Sequence, residues 1–313
     1  MHIVITGGCG FVGSNLVAYF WRCAEVTKIT VIDKITYAAN PDYISSIPVS
    51  LITKDVNDIS ATDLDGVDVI IHAAAESHVD NSFSNSLEFT LSNTLGTHKL
   101  LHAAHQAKSK LFIHISTDEV YGENNTSYPF DESAPFFPTN PYSASKAGAD
   151  ALAQSYHHCY GIDVRIIRAN NMYGFHQYPE KLIPKTILRL AAGLPAVVHG
   201  GGENKRSFLH VDDFCAAVDC VLKEGISGGI YNVHSAEEYR NIDMVTLICK
   251  RMRKDPQQNI TYIADRPHND SRYLINGNKL ESLGWEQKRK LEAELQEIID
   301  WYTDRDWSAI ELM

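Results

Sequence analysis

Tyr142 and Lys146 stand at i and i+4 in the run Tyr142-Ser143-Ala144-Ser145-Lys146. On a helix, that spacing brings phenol and ammonium onto one face, one turn apart. A neighbouring ammonium favours phenolate and lowers a phenol pKa that is otherwise about 10. Such a phenolate can take the proton of a sugar or alcohol hydroxyl as hydride leaves the carbon that bears it. The spacing alone is common on helices, so it gains meaning only with a hydride acceptor elsewhere in the chain. Thr6-Gly7-Gly8-Cys9-Gly10-Phe11-Val12-Gly13 provides for one, with glycines at 7, 10 and 13 between a β-branched run and a helical pattern. Gly7 permits a tight turn, Gly10 lets backbone N–H groups approach a pyrophosphate, and Gly13 allows close helix–strand packing. Asp33 ends the next strand, 20 residues after Gly13. A carboxylate there accepts from an adenosine ribose 2′-OH and repels a 2′-phosphate, so NAD is expected over NADP.

A further pair of acids lies in Ser116-Thr117-Asp118-Glu119-Val120-Tyr121-Gly122, directly after the apolar run Leu111–Ile115. That puts the pair at the carboxyl end of a buried strand, where open α/β sheets bind ligands. Successive side chains on a strand point to opposite faces, so Asp118 and Glu119 converge only where strand gives way to turn. Adjacent carboxylates whose environments differ can divide general-acid and general-base work. In the absence of such an environment, the pair is a solvated acidic loop. His98, His102 and His105 fall at i, i+4 and i+7, a spacing that suits zinc. No carboxylate or cysteine ligand accompanies them, so a helix surface or subunit contact is expected, and no metal.

These groups need elements to hold them. His2–Thr6, Lys28–Asp33, Val67–Ala73, Lys110–Ser116 and Asp163–Arg168 read as strands. Gly13–Trp21, Phe89–Lys108 and Tyr142–Tyr160 read as helices between them. Alternating strands and helices imply βαβ units and a parallel sheet. The expectation is therefore an α/β, Rossmann-type doubly wound parallel sheet with a smaller, mixed α/β C-terminal domain. The first domain spans 1–174 with a return segment near 207–235, and the second spans 175–313.

The chain has 313 residues, with 39 acidic against 28 basic side chains and a formal charge of −11. That balance, with no long basic run, argues against nucleic acid or an anionic membrane as partner. No run approaches the ~18 apolar residues of a membrane span, and Met1–Ile5 reads at once as a strand without a basic n-region or cleavage site, so a leader is not expected. Six scattered cysteines without a CxxC pair suit a reducing cytoplasm.

The glycine turn with Tyr142 and Lys146 resembles the extended short-chain dehydrogenase/reductase superfamily. Ser116-Thr117-Asp118-Glu119-Val120-Tyr121-Gly122 is similar to the signature of its nucleoside-diphosphate-glucose 4,6-dehydratases. Further matches are Ala74-Ala75-Glu76-Ser77-His78-Val79-Asp80-Asn81-Ser82, Asn171-Met172-Tyr173-Gly174, Tyr178–Pro184, Arg206 and Arg266–Tyr273. The resemblance implies NAD held by Gly7, Gly10, Phe11, Val12, Gly13, Asp33, Lys34, Asp55, Val56, Ala73, Ala74, Ala75, Ser77, Tyr142 and Lys146. It implies a nucleotide-sugar substrate in the second domain, held by Ser77, Thr117, Asn171, Lys181, Leu182, His199, Arg206, Arg272 and Tyr273. Lys181, Arg206 and Arg272 are the diphosphate partners in that set.

The resemblance also implies a mechanism. Tyr142 deprotonates the 4-OH, Glu119 removes the C5 proton, and Asp118 protonates the departing 6-hydroxyl. Thr117 binds the 4-oxygen, and Lys146 tunes Tyr142. A homodimer through the helices Phe89–Lys108 and Tyr142–Tyr160 is the family habit. Asn81, Met172, His199 and Glu237 depart from the bacterial dTDP-glucose pattern, while His78–Phe83, Asn170-Asn171-x-Tyr173-Gly174 and Arg266–Tyr273 look closer to the eukaryotic-type branch, which holds plant-type UDP-glucose and animal-type dTDP-glucose enzymes and leans the expectation slightly to UDP-glucose. One methyl separates the two bases, worth only about 1–3 kcal/mol in a pocket. An epimerase or 5,6-dehydratase of the same superfamily, or a non-catalytic NAD-sensing protein, are the rival readings.

Overall fold

Apolar, β-branched runs buried on both faces form a parallel sheet. In the computed structural model, which describes residues 1–307 and 310, the first six strands are β1 (His2–Thr6), β2 (Lys28–Asp33), β3 (Ser50–Thr53), β4 (Val69–His72), β5 (Leu111–Thr117) and β6 (Val164–Ala169). Four short strands follow in the looser second half, β7 (Asn171–Tyr173), β8 (Ala196–His199), β9 (Lys205–His210) and β10 (Ile230–Val233), then β11 (Glu238–Arg240) and β12 (Ile260–Ile263). Seven of them make one sheet in the order β10-β6-β5-β4-β1-β2-β3, every pair parallel. Chain order reverses between β1 and β4, and the crevice beyond their carboxyl ends is where such sheets take ligands. Residues 308, 309 and 311–313 of the expected second domain lie outside the described residues.

Alternation along β1 sends Ile3 and Ile5 into one core layer and Val4 into the other. The first layer is covered by α1 (Phe11–Trp21). Beyond β4 come α2 (Val79–Ser84), α3 (Ser86–Phe89) and α4 (Gly96–Ala107). The second layer is covered by α4 and α5 (Pro141–Tyr160). The single helix expected over Phe89–Lys108 is interrupted, because Thr90–Leu95 widens into a π turn. Asn93 is buried in that turn, where its side chain bonds both backbone groups of Glu76 and the Ser145 hydroxyl at 2.8–2.9 Å. A regular helix has no such reach inward, and the pattern of apolar residues does not report it.

The second half builds a smaller unit, with β7 and β11 flanking β9 and β8 paired to β12. Its own core gathers Tyr173, Ile187, Val198 and Phe208 with residues of α6 (Leu182–Ala191), a later helix Asn241–Arg251, and the helix Leu291–Thr303. Between them α7 (Val211–Glu224) returns to pack on α1, and β10 joins the edge of the large sheet beside β6. We designate Asn241–Arg251 α8. All six cysteines are free.

Candidate active site

Two cavities open side by side above the carboxyl ends of β1, β4 and β5. The smaller, about 210 Å³, is lined by Gly7, Gly10, Phe11, Val12, Gly13, Asp33, Lys34, Val56, Ala73, Ala74, Ala75, Ser77, Tyr142 and Lys146. The larger, about 310 Å³, is lined by Thr117, Asp118, Glu119 and Tyr142 at one end. Ser77, Asn171, Lys181, Leu182, His199, Arg206 and Tyr273 line it too. Phe11, Val12, Ser77, Tyr142, Met172 and Lys181 face both, so the spaces are contiguous at Tyr142.

The smaller cavity fits a dinucleotide. A Cβ on Gly13 would sit 2.1 Å from the Gly7 carbonyl, and one on Gly7 2.7 Å from the Ala74 backbone, so glycine is required for this close approach. Asp33 accepts from Cys9 N–H at 2.9 Å and Ile35 N–H at 2.8 Å, which fixes the carboxylate and leaves lone pairs for a ribose. Lys146 is buried and donates one bond, to the Ile115 carbonyl at 2.7 Å, with two donors left over. Asp55 is an exception among the expected cofactor residues. It does not line the cavity; its carboxylate accepts from Asn57 N–H and lies 3.7 Å from Lys34, so it acts on the wall residue.

Beneath Lys146, one turn along α5, Asp150 is fully buried against Arg168 Nε at 2.8 Å and His114 Nε2 at 3.3 Å. Burial works against its charge, but His114 and Arg168 outweigh that and hold the carboxyl at about 2. Burial draws the Lys146 ammonium down to about 8, with the Asp150 charge opposing. The Tyr142 phenol departs from the sequence expectation. Burial first, then the charge of Glu119, pushes it above the ordinary phenol value, and a hydrogen bond with Thr117 pulls the other way. Desolvation and the nearby carboxylates decide the direction, against the lowering expected from a lysine one turn away.

Where β5 ends, a short 3-10 turn, Asp118–Tyr121, brings both acids to the same cavity. Thr117 caps it, its hydroxyl accepting from Glu119 N–H at 3.2 Å and donating to Asp118 Oδ1 at 3.1 Å. Asp118, 2% exposed, also accepts from Asn170 Nδ2 at 2.6 Å. Burial and then the Glu119 charge raise its carboxyl to about 7. Glu119 accepts from Asn140 Nδ2 at 3.2 Å and the Tyr273 hydroxyl at 3.3 Å. Burial raises it also, while Asn140, Arg206 and Lys181 pull the other way. Asn140 in turn caps α5, which presents Tyr142 and Lys146. Its place just ahead of Pro141 was the signal sequence reading passed over.

The expected diphosphate partners divide. Arg206 lies over the Tyr273 ring at 4.7 Å and lines the cavity. Lys181 donates to the Ser77 carbonyl at 2.7 Å from the wall of both cavities. Arg272 does not line the cavity, because Glu238 takes its guanidinium. Arg266, from the same motif, lines it instead and pairs with Asp80 at 2.6 Å. Glu237 is also absent from the wall; its carboxylate accepts from Leu291 N–H at 2.9 Å at the start of the last helix. Asn241 and Lys185 line the cavity without having been singled out. The histidines at 98, 102 and 105 are exposed on α4, with His98 against Tyr156 and His105 against Tyr160. Among the described residues no group of three His, Cys, Asp or Glu is placed to hold a metal ion.

Comparison with known proteins agrees with this architecture. The sequence model of a family described as GDP-mannose 4,6 dehydratase matches residues 4–298. The trifunctional UDP-glucose 4,6-dehydratase/UDP-4-keto-6-deoxy-D-glucose 3,5-epimerase/UDP-4-keto-L-rhamnose-reductase of Arabidopsis thaliana is 42% identical over 98% of this chain. The match takes in 48% of that relative, so the chain spans about half its length. The dTDP-D-glucose 4,6-dehydratase of Homo sapiens is 37% identical, over 99% of this chain and 93% of its own. A solved structure of dTDP-glucose 4,6-dehydratase from Streptomyces venezuelae with NAD bound superposes with a TM-score of 0.93 at 37% identity, covering 97% of each chain. Since the match runs from β1 into the last helix and the fold follows it throughout, the chain belongs to the nucleoside-diphosphate-sugar 4,6-dehydratase family of the extended short-chain dehydrogenases/reductases.

Proposed function

We propose that the chain is an NAD-dependent nucleoside-diphosphate-glucose 4,6-dehydratase, taking UDP-glucose or dTDP-glucose to the 4-keto-6-deoxy sugar nucleotide. The observation that carries the reading is the pair Asp118 and Glu119 on one turn facing Tyr142 across a single cavity. NAD, when bound by the glycine turn, Asp33 and Lys146, supplies a temporary hydride acceptor. Tyr142 takes the 4-OH proton, and Lys146 supports the negative charge that develops on its oxygen. Glu119 removes the C5 proton, made acidic by the neighbouring ketone. Asp118, with its carboxyl near 7, keeps enough acid form at neutrality to protonate the leaving 6-hydroxyl. Arg206 and Lys181 meet the diphosphate. Incubation of the purified protein with either sugar nucleotide is expected to give a product lighter by one water, without accumulated reduced cofactor. A C4 epimer, or steady release of reduced cofactor, would sink the reading. The eukaryotic-type pattern at His78–Phe83, Asn170–Gly174 and Arg266–Tyr273 favours UDP-glucose, and comparison of kcat/KM for the two substrates decides between them.

We further propose a homodimer through α4 and α5. Leu87 on α3, and Leu91 and Leu95 in the π turn that leads into α4, recur every fourth residue and are 75%, 49% and 37% exposed. Tyr160 at the end of α5, against His105 at the far end of α4, is exposed as well. Large apolar side chains in an exposed row suit a partner helix.

A further inference from the structure

Asp270 belongs to the wall of the larger cavity, yet the proposed chemistry gives it no part. It is 2% exposed, and three side chains donate to it. The Thr139 hydroxyl reaches Oδ2 at 2.6 Å, His268 Nε2 reaches Oδ1 at 3.0 Å, and the Tyr273 hydroxyl shares Oδ2 with Thr139. The segment that carries Asp270 and Tyr273 follows β12 and is pinned from both sides. Lys205 N–H donates to the Ser271 carbonyl at 2.7 Å, Asn124 N–H to the Arg272 carbonyl at 3.0 Å, and Asn204 Nδ2 to the Asp270 carbonyl at 3.1 Å. Thr139 directly precedes Asn140, the cap of α5. A carboxylate from the second half of the chain is thus fixed against the start of the helix that presents Tyr142.

Tyr273 sits between two carboxylates and has one proton to give. Its hydroxyl is closer to Asp270 Oδ2 than to Glu119 Oε2, which lies 3.3 Å away. Burial first, then the charges of Glu119 and Asp270, keep that proton on the phenol against the pull of Arg206. With the O–H turned to Asp270, the phenol oxygen meets Glu119 with its lone pairs. The carboxylate form of Glu119 is then short of a donor, while its acid form gains an acceptor, and both effects favour taking up a proton. The Asp270 charge acts on Glu119 in the same direction, behind burial, with Asn140, Arg206 and Lys181 opposing. Asp118 and Tyr142 also face Glu119, and Glu123 and His268 face Asp270. Resting on the dehydratase reading for the role of Glu119, we propose that Asp270 is a positioning residue: by holding the Tyr273 proton it makes Glu119 a stronger base toward C5. When the C5–H bond breaks, its electrons enter the enolate of the 4-ketone and its proton goes to Glu119. The new O–H of Glu119 turns to the Tyr273 oxygen while the 6-hydroxyl leaves with the Asp118 proton and hydride returns to C6. Glu119 then gives a proton back to C5, and none passes through Tyr273 to Asp270.

The test is a pH titration of the NAD-loaded protein followed by infrared difference spectroscopy, the Glu119 band being the carboxyl signal missing from Glu119→Gln. Asp270→Asn keeps the size of the side chain and an acceptor for Thr139 and Tyr273 but removes the charge. Glu119 is expected to titrate about one pH unit lower in that variant than in the parent. With whichever of UDP-glucose and dTDP-glucose is turned over, the acid limb of kcat should move down with the band. Plateau kcat should fall roughly threefold to thirtyfold with KM held within about twofold, and the isotope effect from deuterium at C5 should grow. A merely structural Asp270 would lower the melting temperature and raise KM while leaving band and limb in place, and that result would overturn the proposal. If Asp270→Asn does not fold, Tyr273→Phe carries the test. Its Glu119 loses the acceptor for its acid form and is expected to titrate lower; a rise would show that Tyr273 serves Glu119 as a donor, which also overturns the proposal. The infrared titration needs no turnover. A parent that forms no dehydrated product therefore counts against the dehydratase reading, and an unmoved Glu119 band against this one.

Discussion

Asp118 is the residue at which activity and stability conflict. Its carboxyl sits at about 7 in the folded chain and near the ordinary carboxylate value, about 4, in the unfolded chain. The folded state keeps a proton that the unfolded chain gives up as pH rises, so this contribution to stability falls from about pH 4 and is lost above about pH 7. Asp118→Asn keeps an acceptor for Asn170 and removes the titration. It is expected to cut kcat by roughly 10²–10⁴-fold. Its melting temperature should rise relative to the parent at pH 8 and much less at pH 5, by an amount worth up to a few kcal/mol. In the parent, kcat should decline above about pH 7 as Asp118 loses its acid form, which a pH–rate profile with saturating substrate reads directly. At this scale the sequence was informative where neighbours in space were also neighbours in the chain. Thr117, Asp118 and Glu119 share one turn, and Tyr142 and Lys146 share one helix. Among the cations it put Arg272 with Lys181 and Arg206 and missed that Glu238 claims Arg272 away from the cavity and that Asp80 claims Arg266 within it. Those pairs come from segments whose meeting no spacing encodes.

The element that makes the acids converge is a turn only a few residues long, and its end depends on Gly122. That residue has φ +77°, and a Cβ there would lie 2.1 Å from the Phe137 carbonyl. Gly122→Ala is therefore expected to destabilise the fold by about 2 kcal/mol or more, through the strained φ and the displaced strand of chain at Phe137. Thermal melting checks this. A kcat loss beyond that seen in an equally destabilised core variant would show that the turn had moved the acids. The strands β1, β2, β5 and β6 were legible because β-branched and apolar residues buried on both faces leave few other readings. The Thr90–Leu95 widening was not, since its cause is Asn93 reaching Glu76 and Ser145, two residues that the helix pattern does not contain. Nor was the β10-β6-β5-β4-β1-β2-β3 order, which is a property of crossovers.

For the whole molecule, the test of assembly is simple. Replacing Leu91 and Leu95 with lysine introduces charge into the apolar row and is expected to shift a dimer to monomer in light scattering, while secondary structure is retained because both side chains point outward. Parent and variant of equal mass would end the dimer proposal. The net charge of −11 gives no guide to the substrate, since the larger cavity is lined by Asp80, Asp118, Glu119, Glu180 and Asp270 together with Lys181, Lys185, Arg206 and Arg266, and the placement of those groups rather than their sum decides what binds.

The late arrival of β10 has a consequence for biosynthesis. All the glycines of the dinucleotide cradle, with Tyr142 and Lys146, have been translated before β6 is complete. Yet β6 has no outer neighbour until Ile230–Val233 emerges, and α7, which covers α1, emerges only shortly before it. Through that interval the nascent chain displays a bare strand edge and an uncovered apolar helix face, the two features that invite aggregation. A ribosome-stalled chain ending near Tyr173 is expected to bind a hydrophobic dye and to be captured by a holdase, and the released full-length chain, with β10 in place and the second core closed by the last helix, to do neither. The nucleotide-binding half thus cannot be finished first and decorated later; its closing strand is delivered by way of the other half.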